Sequence, residues 1–161
     1  LNGYSNIAST AYNCGAYNCS VEGYGGGLGG GAALTKNCWA LNNTTNYASG
    51  WVDDGSTGSN NASSGTDSPG TDPVNSITTA DFVDASNLDF HLASGSSLIG
   101  AGTNLYSEFT TDIDGDTWPS SGAWDIGFDY FVSAATVPTL SLPGVTDIGS
   151  TTVRPQVTLT F

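Results

Sequence analysis

Apolar and polar positions alternate along this chain only over short stretches, and turn-forming residues break every run. Phe90 and Leu92, then Leu98 and Ile99, sit between clusters of Gly, Ser, Asn and Asp, and Val153, Val157, Leu159 and Phe161 share one face of an extended segment. No window sustains an apolar stripe at the 3.6-residue helical period, and segments rich in Ala, Leu, Glu and Lys are missing. Short strands joined by polar turns are the elements this pattern predicts.

A second regularity has a longer period. Displaced by 24 residues, NCGAYNCS (13–20) lands on NCWALNNT (37–44), which matches Asn13 with Asn37, Cys14 with Cys38, Ala16 with Ala40, Asn18 with Asn42 and Ser20 with Thr44. A period in the twenties marks units that bury their apolar faces by stacking on one another, as in a solenoid. Asn over Asn can then pass amide hydrogen bonds from rung to rung, while small Ala and Cys side chains fill a narrow interior. The glycines at 25–27 and 29–31 fall between the copies, where sharp turns with positive φ are expected. As a phosphate cradle, GYGGGLGGGAAL lacks the preceding strand, following helix and loop lysine in the required arrangement. Cys14, Cys19 and Cys38 with one distant histidine, His91, make a poor zinc set. The stacked thiols read as an interior ladder, with a Cys14–Cys38 disulfide as the alternative.

Three regions follow one another. Residues 46–79 lose periodicity and read as an irregular surface excursion. Residues 81–131 are dense in short apolar alternations. Residues 132–161 begin with a linker and end in the strand signal of Val153, Val157, Leu159 and Phe161, too small to bury a core alone. That tail is expected to pair along its own domain or with a neighbouring copy by strand addition.

NLDFHLASGSSLIGAG (87–102) followed by DIDGDTWPSSGAWDIGFDY (112–130) resembles the C-terminal end of right-handed parallel β-helix proteins of the secreted, surface or virion type. The match runs through Asp89–Leu92, Gly95, Ser96, Ile99, Ala101, Gly102, Asp112, Asp114, Gly115, Pro119, Asp125, Ile126, Gly127 and Asp129. It departs at Ser97, Gly100, Trp118, Phe128 and Tyr130. The resemblance implies an all-β fold in which residues 1–131 are β-helix laps with a C-terminal cap, and 132–161 are a linker and a short β-strand segment. It makes His91 a residue of the capping lap and Trp118 and Trp124 covers for the open end. On activity it is nearly silent, because such ends close adhesins, virion appendages and carbohydrate-active enzymes alike.

Charge narrows the partners. Two basic residues, Lys36 and Arg154, stand against fifteen acids, for a net charge of −13, so phosphate backbones and anionic lipid heads are repelled. No run approaches the roughly 20 apolar residues of a membrane span. An acidic, Lys-poor chain rich in Asn, Ser and Thr fits an extracellular, cell-surface or virion-surface setting. TDIDGD places Asp112, Asp114 and Asp116 at alternate positions of a tight loop, which reads as a turn fixed by Asx side chains, with calcium as the alternative ligand and no other cofactor implied. Sequons at Asn18, Asn42, Asn43 and Asn61 are candidate glycosylation sites. Asp53 and Asp54 are the only adjacent acids, in the least regular stretch, and only Lys36 and Arg154 could serve a lyase. The expected function is a non-catalytic structural or adhesive module of a surface filament or virion appendage, self-associating through its terminal strand. The alternative is a carbohydrate-binding or polysaccharide-degrading domain whose active residues lie upstream.

Overall fold

A computed structural model of the 161-residue chain describes residues 9–24, 33–48 and 57–133. The glycines at 25–27 and 29–31, the Asp53–Asp54 pair and the predicted strand bearing Val153, Val157, Leu159 and Phe161 lie outside the described residues.

The described residues are predominantly β with almost no helix, built from very short strands: β1 (Ser9–Tyr12), β2 (Gly15–Tyr17), β3 (Glu22–Tyr24), β4 (Ala33–Lys36), β5 (Trp39–Leu41), β6 (Thr45–Tyr47), β7 (Thr57–Ser59), β8 (Ala62–Ser63), β9 (Val74–Asn75), β10 (Phe82–Asp84) and β11 (Asp89–Leu92). Parallel pairing produces a three-stranded sheet β1-β4-β7, a four-stranded sheet β2-β5-β8-β9 and a two-stranded sheet β3-β6. The correspondence of 13–20 with 37–44 is physical register: Tyr12 pairs with Lys36, Gly15 with Trp39 and Ala16 with Ala40.

Corners in the described chain are made by asparagine. Asn13, Asn18, Asn37, Asn42 and Asn60 have φ between 47° and 56°, the left-handed region that Asn enters more readily than other residues with a side chain. Each sits between two strands of different sheets, so the repeated Asn of the sequence is first a backbone requirement. Its amide then works along the stack: Asn37 Nδ2 donates to Asn13 Oδ1 at 3.0 Å.

The expectation of a right-handed parallel β-helix closed by a capping lap is corrected by this topology. The sheets are small and separate, and the 24-residue step does not persist. β8 pairs with β9 through Ala62↔Val74, only half that step onward, so the chain returns to the same sheet without completing another circuit. Beyond Ser76 parallel pairing is abandoned. Two single-turn 3-10 helices, Thr79–Asp81 and Ala85–Asn87, flank β10, which pairs antiparallel with β11. The physical reason is the loss of matching corner residues and strand lengths after Ser63, which leaves nothing to hold a further rung in register. Residues 57–75, part of the supposed excursion, instead supply β7, β8 and β9.

The main core gathers Trp39, Leu41, Ile77, Phe82, Leu92, Leu98 and Ile126. Residues 98–127 run back over the stack: Asn60 Nδ2 donates to Ala101 O, Asn37 exchanges two bonds with the Thr103 backbone, and Gly127 N donates to Asn37 O. Trp118 and Trp124, expected as lids over an open end, stack on each other at 4.5 Å and form a second buried cluster with Leu105, packed by Tyr12, Phe109 and Tyr130.

Candidate functional site

Two places in the fold present chemistry. One is the face formed by β1, β2 and β3. Each of these strands is the outermost member of its sheet, and among the described residues nothing pairs with their outer edges. Trp39, Ala40 and Leu41 of β5 are all buried, whereas their register partners Gly15, Ala16 and Tyr17 are exposed or half-buried. Asn13 is buried at the same face. Its Oδ1 accepts from Asn37, but its Nδ2 has no hydrogen-bond partner. Beside it, Tyr12, Cys14 and Gly15 meet Phe109, Ile113 and Phe128 around an open cavity of about 490 Å³.

The other place surrounds His91. Alternation along β11 turns Leu92 into the core and His91 outward. Its Nδ1 lies 2.5 Å from Asp89 Oδ1 and its Nε2 2.8 Å from Asp114 Oδ2. These hydrogen bonds, to Asp89 first and then Asp114, raise the imidazole pKa to about 9 against a small opposing effect of burial, so both ring nitrogens carry protons at neutral pH. Asp129 approaches from the closing segment, 7% exposed, with Oδ2 accepting from Leu92 N at 2.6 Å. Burial pushes its carboxyl above the ordinary value despite that bond.

The structure divides the predicted trio Asp112, Asp114 and Asp116. Asp112 spends both oxygens on backbone: Oδ1 accepts from Asp114 N and Asp116 N, and Oδ2 from Tyr130 N. It fixes the turn. Asp114 turns to His91, and Asp116 lines a depression of about 250 Å³ together with His91, Asp114 and Asp129. Sequence reasoning did not bring Asp89, His91 and Asp129 to this place. The alternate spacing of Asp89 and His91 on one strand was the available signal, since such residues share a face. Nothing local marks Asp129, which arrives through tertiary folding.

Among the sequons, Asn18 and Asn42 are exposed at their corners. Asn43 is half-buried, with its amide bonded to Cys19 N, Ala16 O and Asn46. Asn61 is fully buried; its Oδ1 accepts from Cys38 N and its Nδ2 donates to Thr35 and Pro69. That leaves no room for a glycan at Asn61. The three cysteines are thiols, and Cys38 is buried behind Cys14. No helix among the described residues is long and apolar enough to cross a membrane.

Compared with protein-family models, curated proteins and solved structures, the chain matches none. The resemblance to the end of a parallel β-helix protein is therefore corrected: no family model matches, and the strands form several small sheets.

Proposed function

We propose that the protein is a non-catalytic structural module of an extracellular or virion-surface assembly, joined to its neighbours by strand pairing. The observation that carries this reading is the common edge of β1, β2 and β3, where, among the described residues, three parallel sheets end side by side. Unpaired strand edges are templates for another strand, and proteins that do not use them usually blunt them with Lys, Pro or a cover. β1, β2 and β3 contain neither Lys nor Pro. The buried Asn13 Nδ2 needs an acceptor, and a further rung of the same kind would supply one. The alternating segment 153–161 is the strand assigned to join copies, because its apolar face is worth about 1.5–3 kcal/mol per buried side chain and cannot be sheltered by a lone hairpin.

The test is the mass of the full chain in solution by light scattering across a concentration series, beside a chain lacking residues 153–161. Association of the full chain and a folded, monomeric truncation are expected. A truncated chain that assembles as the full chain does would refute the role given to the tail, and a full chain that stays monomeric at high concentration would refute the assembly reading.

A further inference from the structure

We propose that His91, Asp114 and Asp129 form a binding site for a divalent transition metal ion, with Zn²⁺ best suited to the donor set. One ligand atom from each residue lies within 4.8 Å of the other two. The donors come from three different segments: β11, the 112–116 turn and the closing stretch before Phe131.

Each segment is anchored on its own account. Asp112 fixes the turn that carries Asp114, Asp129 is tied to Leu92 N, and the His91 backbone N–H donates to Asp89 Oδ1. The donors are thus brought together by the anchoring of each segment. Asp89 also holds Nδ1 of the imidazole, leaving Nε2 toward the carboxylates, where a bound ion takes the place of the Nε2 proton, which is released to solvent. An outer carboxylate on one ring nitrogen is the arrangement that orients a metal-binding histidine through the other.

The distances can accommodate an ion with little movement. Donors about 2.1 Å from a tetrahedral zinc lie roughly 3.4 Å apart, against the present 2.8 Å between Nε2 and Asp114 Oδ2. Both side chains are about half exposed and free to spread by that amount. The depression of about 250 Å³ beside them leaves space for water or Asp116 in a fourth position. One nitrogen with two carboxylate oxygens selects against calcium and magnesium, which take sets of hard oxygen ligands. Asp89 and Asp114 both bond the one imidazole, Asp129 lies beside it and Asp116 lines the same depression, so a cation relieves repulsion among carboxylates that His91 alone offsets in part. The bound ion would clamp the β10–β11 hairpin to the turn and the closing segment.

The experiment is calorimetric titration of the EDTA-treated full chain with ZnCl₂, with CaCl₂ as control, alongside His91→Ala, Asp114→Asn and Asp89→Asn. One zinc per chain is expected, with calcium giving no comparable heat. His91→Ala and Asp114→Asn should each weaken zinc at least tenfold, and Asp89→Asn, a positioning change, by about 10–100-fold. Asp114 lies at the surface, so its variant keeps the test readable if His91→Ala disturbs the hairpin; circular dichroism in EDTA checks the fold of each. Absence of zinc binding up to millimolar concentration overturns the proposal. So does equal binding by wild type and Asp114→Asn, or loss of binding on replacing the cysteines while His91 is intact.

Discussion

Trp39 packs against its register partner Gly15 so closely that a Cβ on Gly15 would stand 2.2 Å from the indole Cζ2. The ring cannot retreat. Gly127, at φ 117°, crowds the same indole, where a Cβ would come within 2.9 Å of Cδ1 and Nε1, and Phe82, Phe90 and Phe128 pack round it at centroid distances of 4.8, 5.0 and 5.8 Å. Gly15→Ala should therefore destabilise the protein by about 1–3 kcal/mol through overpacking. In a Trp39→Leu background the same change should cost far less, a coupling measurable by urea denaturation of the four proteins. Additive effects would show that the indole does not confine this strand.

Asn37 joins backbone conformation to long-range bonding. It is fully buried, sits at φ 54°, donates to Asn13 Oδ1 and Thr103 O, and accepts from Thr103 N. Asn37→Ala should lose both contributions, about 1–3 kcal/mol for each polar group stranded in the interior and about 1 kcal/mol for a left-handed alanine. Asn37→Gly keeps the conformation and loses the bonds, so it should be the milder change by about 1 kcal/mol. Equal urea midpoints for the two variants would show that corner strain plays no part.

Asn37 also marks the part of the fold that is legible in the sequence. The match of Asn13 with Asn37 gave true strand register, because corner chemistry is local: a left-handed turn needs Asn or Gly wherever it occurs. Short alternation marked a true strand at Phe90 and Leu92, in β11, but not at Leu98 and Ile99, which the structure places in a turn. Extending the repeat into a β-helix failed because Asn60–Asn61 carries the corner pattern without the cysteine that marked the earlier copies, and the next strand follows after half a period. Of the candidate site, Asp114 was visible as part of an acidic loop, but its partners His91 and Asp129 are brought to it only by the antiparallel hairpin and the returning closing segment. No pattern within a single segment encodes that meeting.

Asp81 supplies an acid-sensitive link between the first 3-10 turn and the 96–97 turn. Its Oδ2 accepts from Thr78 N at 2.8 Å, and its Oδ1 from Ser97 N and Ser97 Oγ at 2.8 and 2.9 Å. Partial burial raises its carboxyl pKa, but these donors outweigh it and hold the group below its ordinary value. A folded pKa under the unfolded value of about 3.9 means the stabilisation is complete above that pH and is lost as pH falls through the folded value. Asp81→Asn should lower the urea midpoint at pH 7 and flatten its decline below about pH 4. An unchanged acid limb in the variant would assign the decline to other carboxylates.

Cys14 and Cys38 occupy matching corners, between β1 and β2 and between β4 and β5, and their thiols are unequal. The neighbouring Cys38 thiol, with the bond to Tyr12 O, draws the Cys14 pKa down to about 7 against the effect of burial, while Cys14 and its own burial push Cys38 up; in the structure each thiol donates to backbone, Cys14 to Tyr12 O and Cys38 to Ala11 O and Lys36 O. Cys14 is half-buried and Cys38 fully buried, so access and ionisation favour the same thiol. Iodoacetamide at pH 7 should modify Cys14 well before Cys38, with a rate that rises through a midpoint near pH 7. Cys38→Ala removes that neighbour and should move the midpoint up toward about 8.5. At pH 7 the Cys14 rate should then fall several-fold, since the thiolate fraction drops from about half to a few per cent while each thiolate becomes somewhat more nucleophilic. Peptide mass spectrometry separates this signal from Cys19. A Cys14 midpoint that does not move in Cys38→Ala would show that the two thiols stack without sharing a proton.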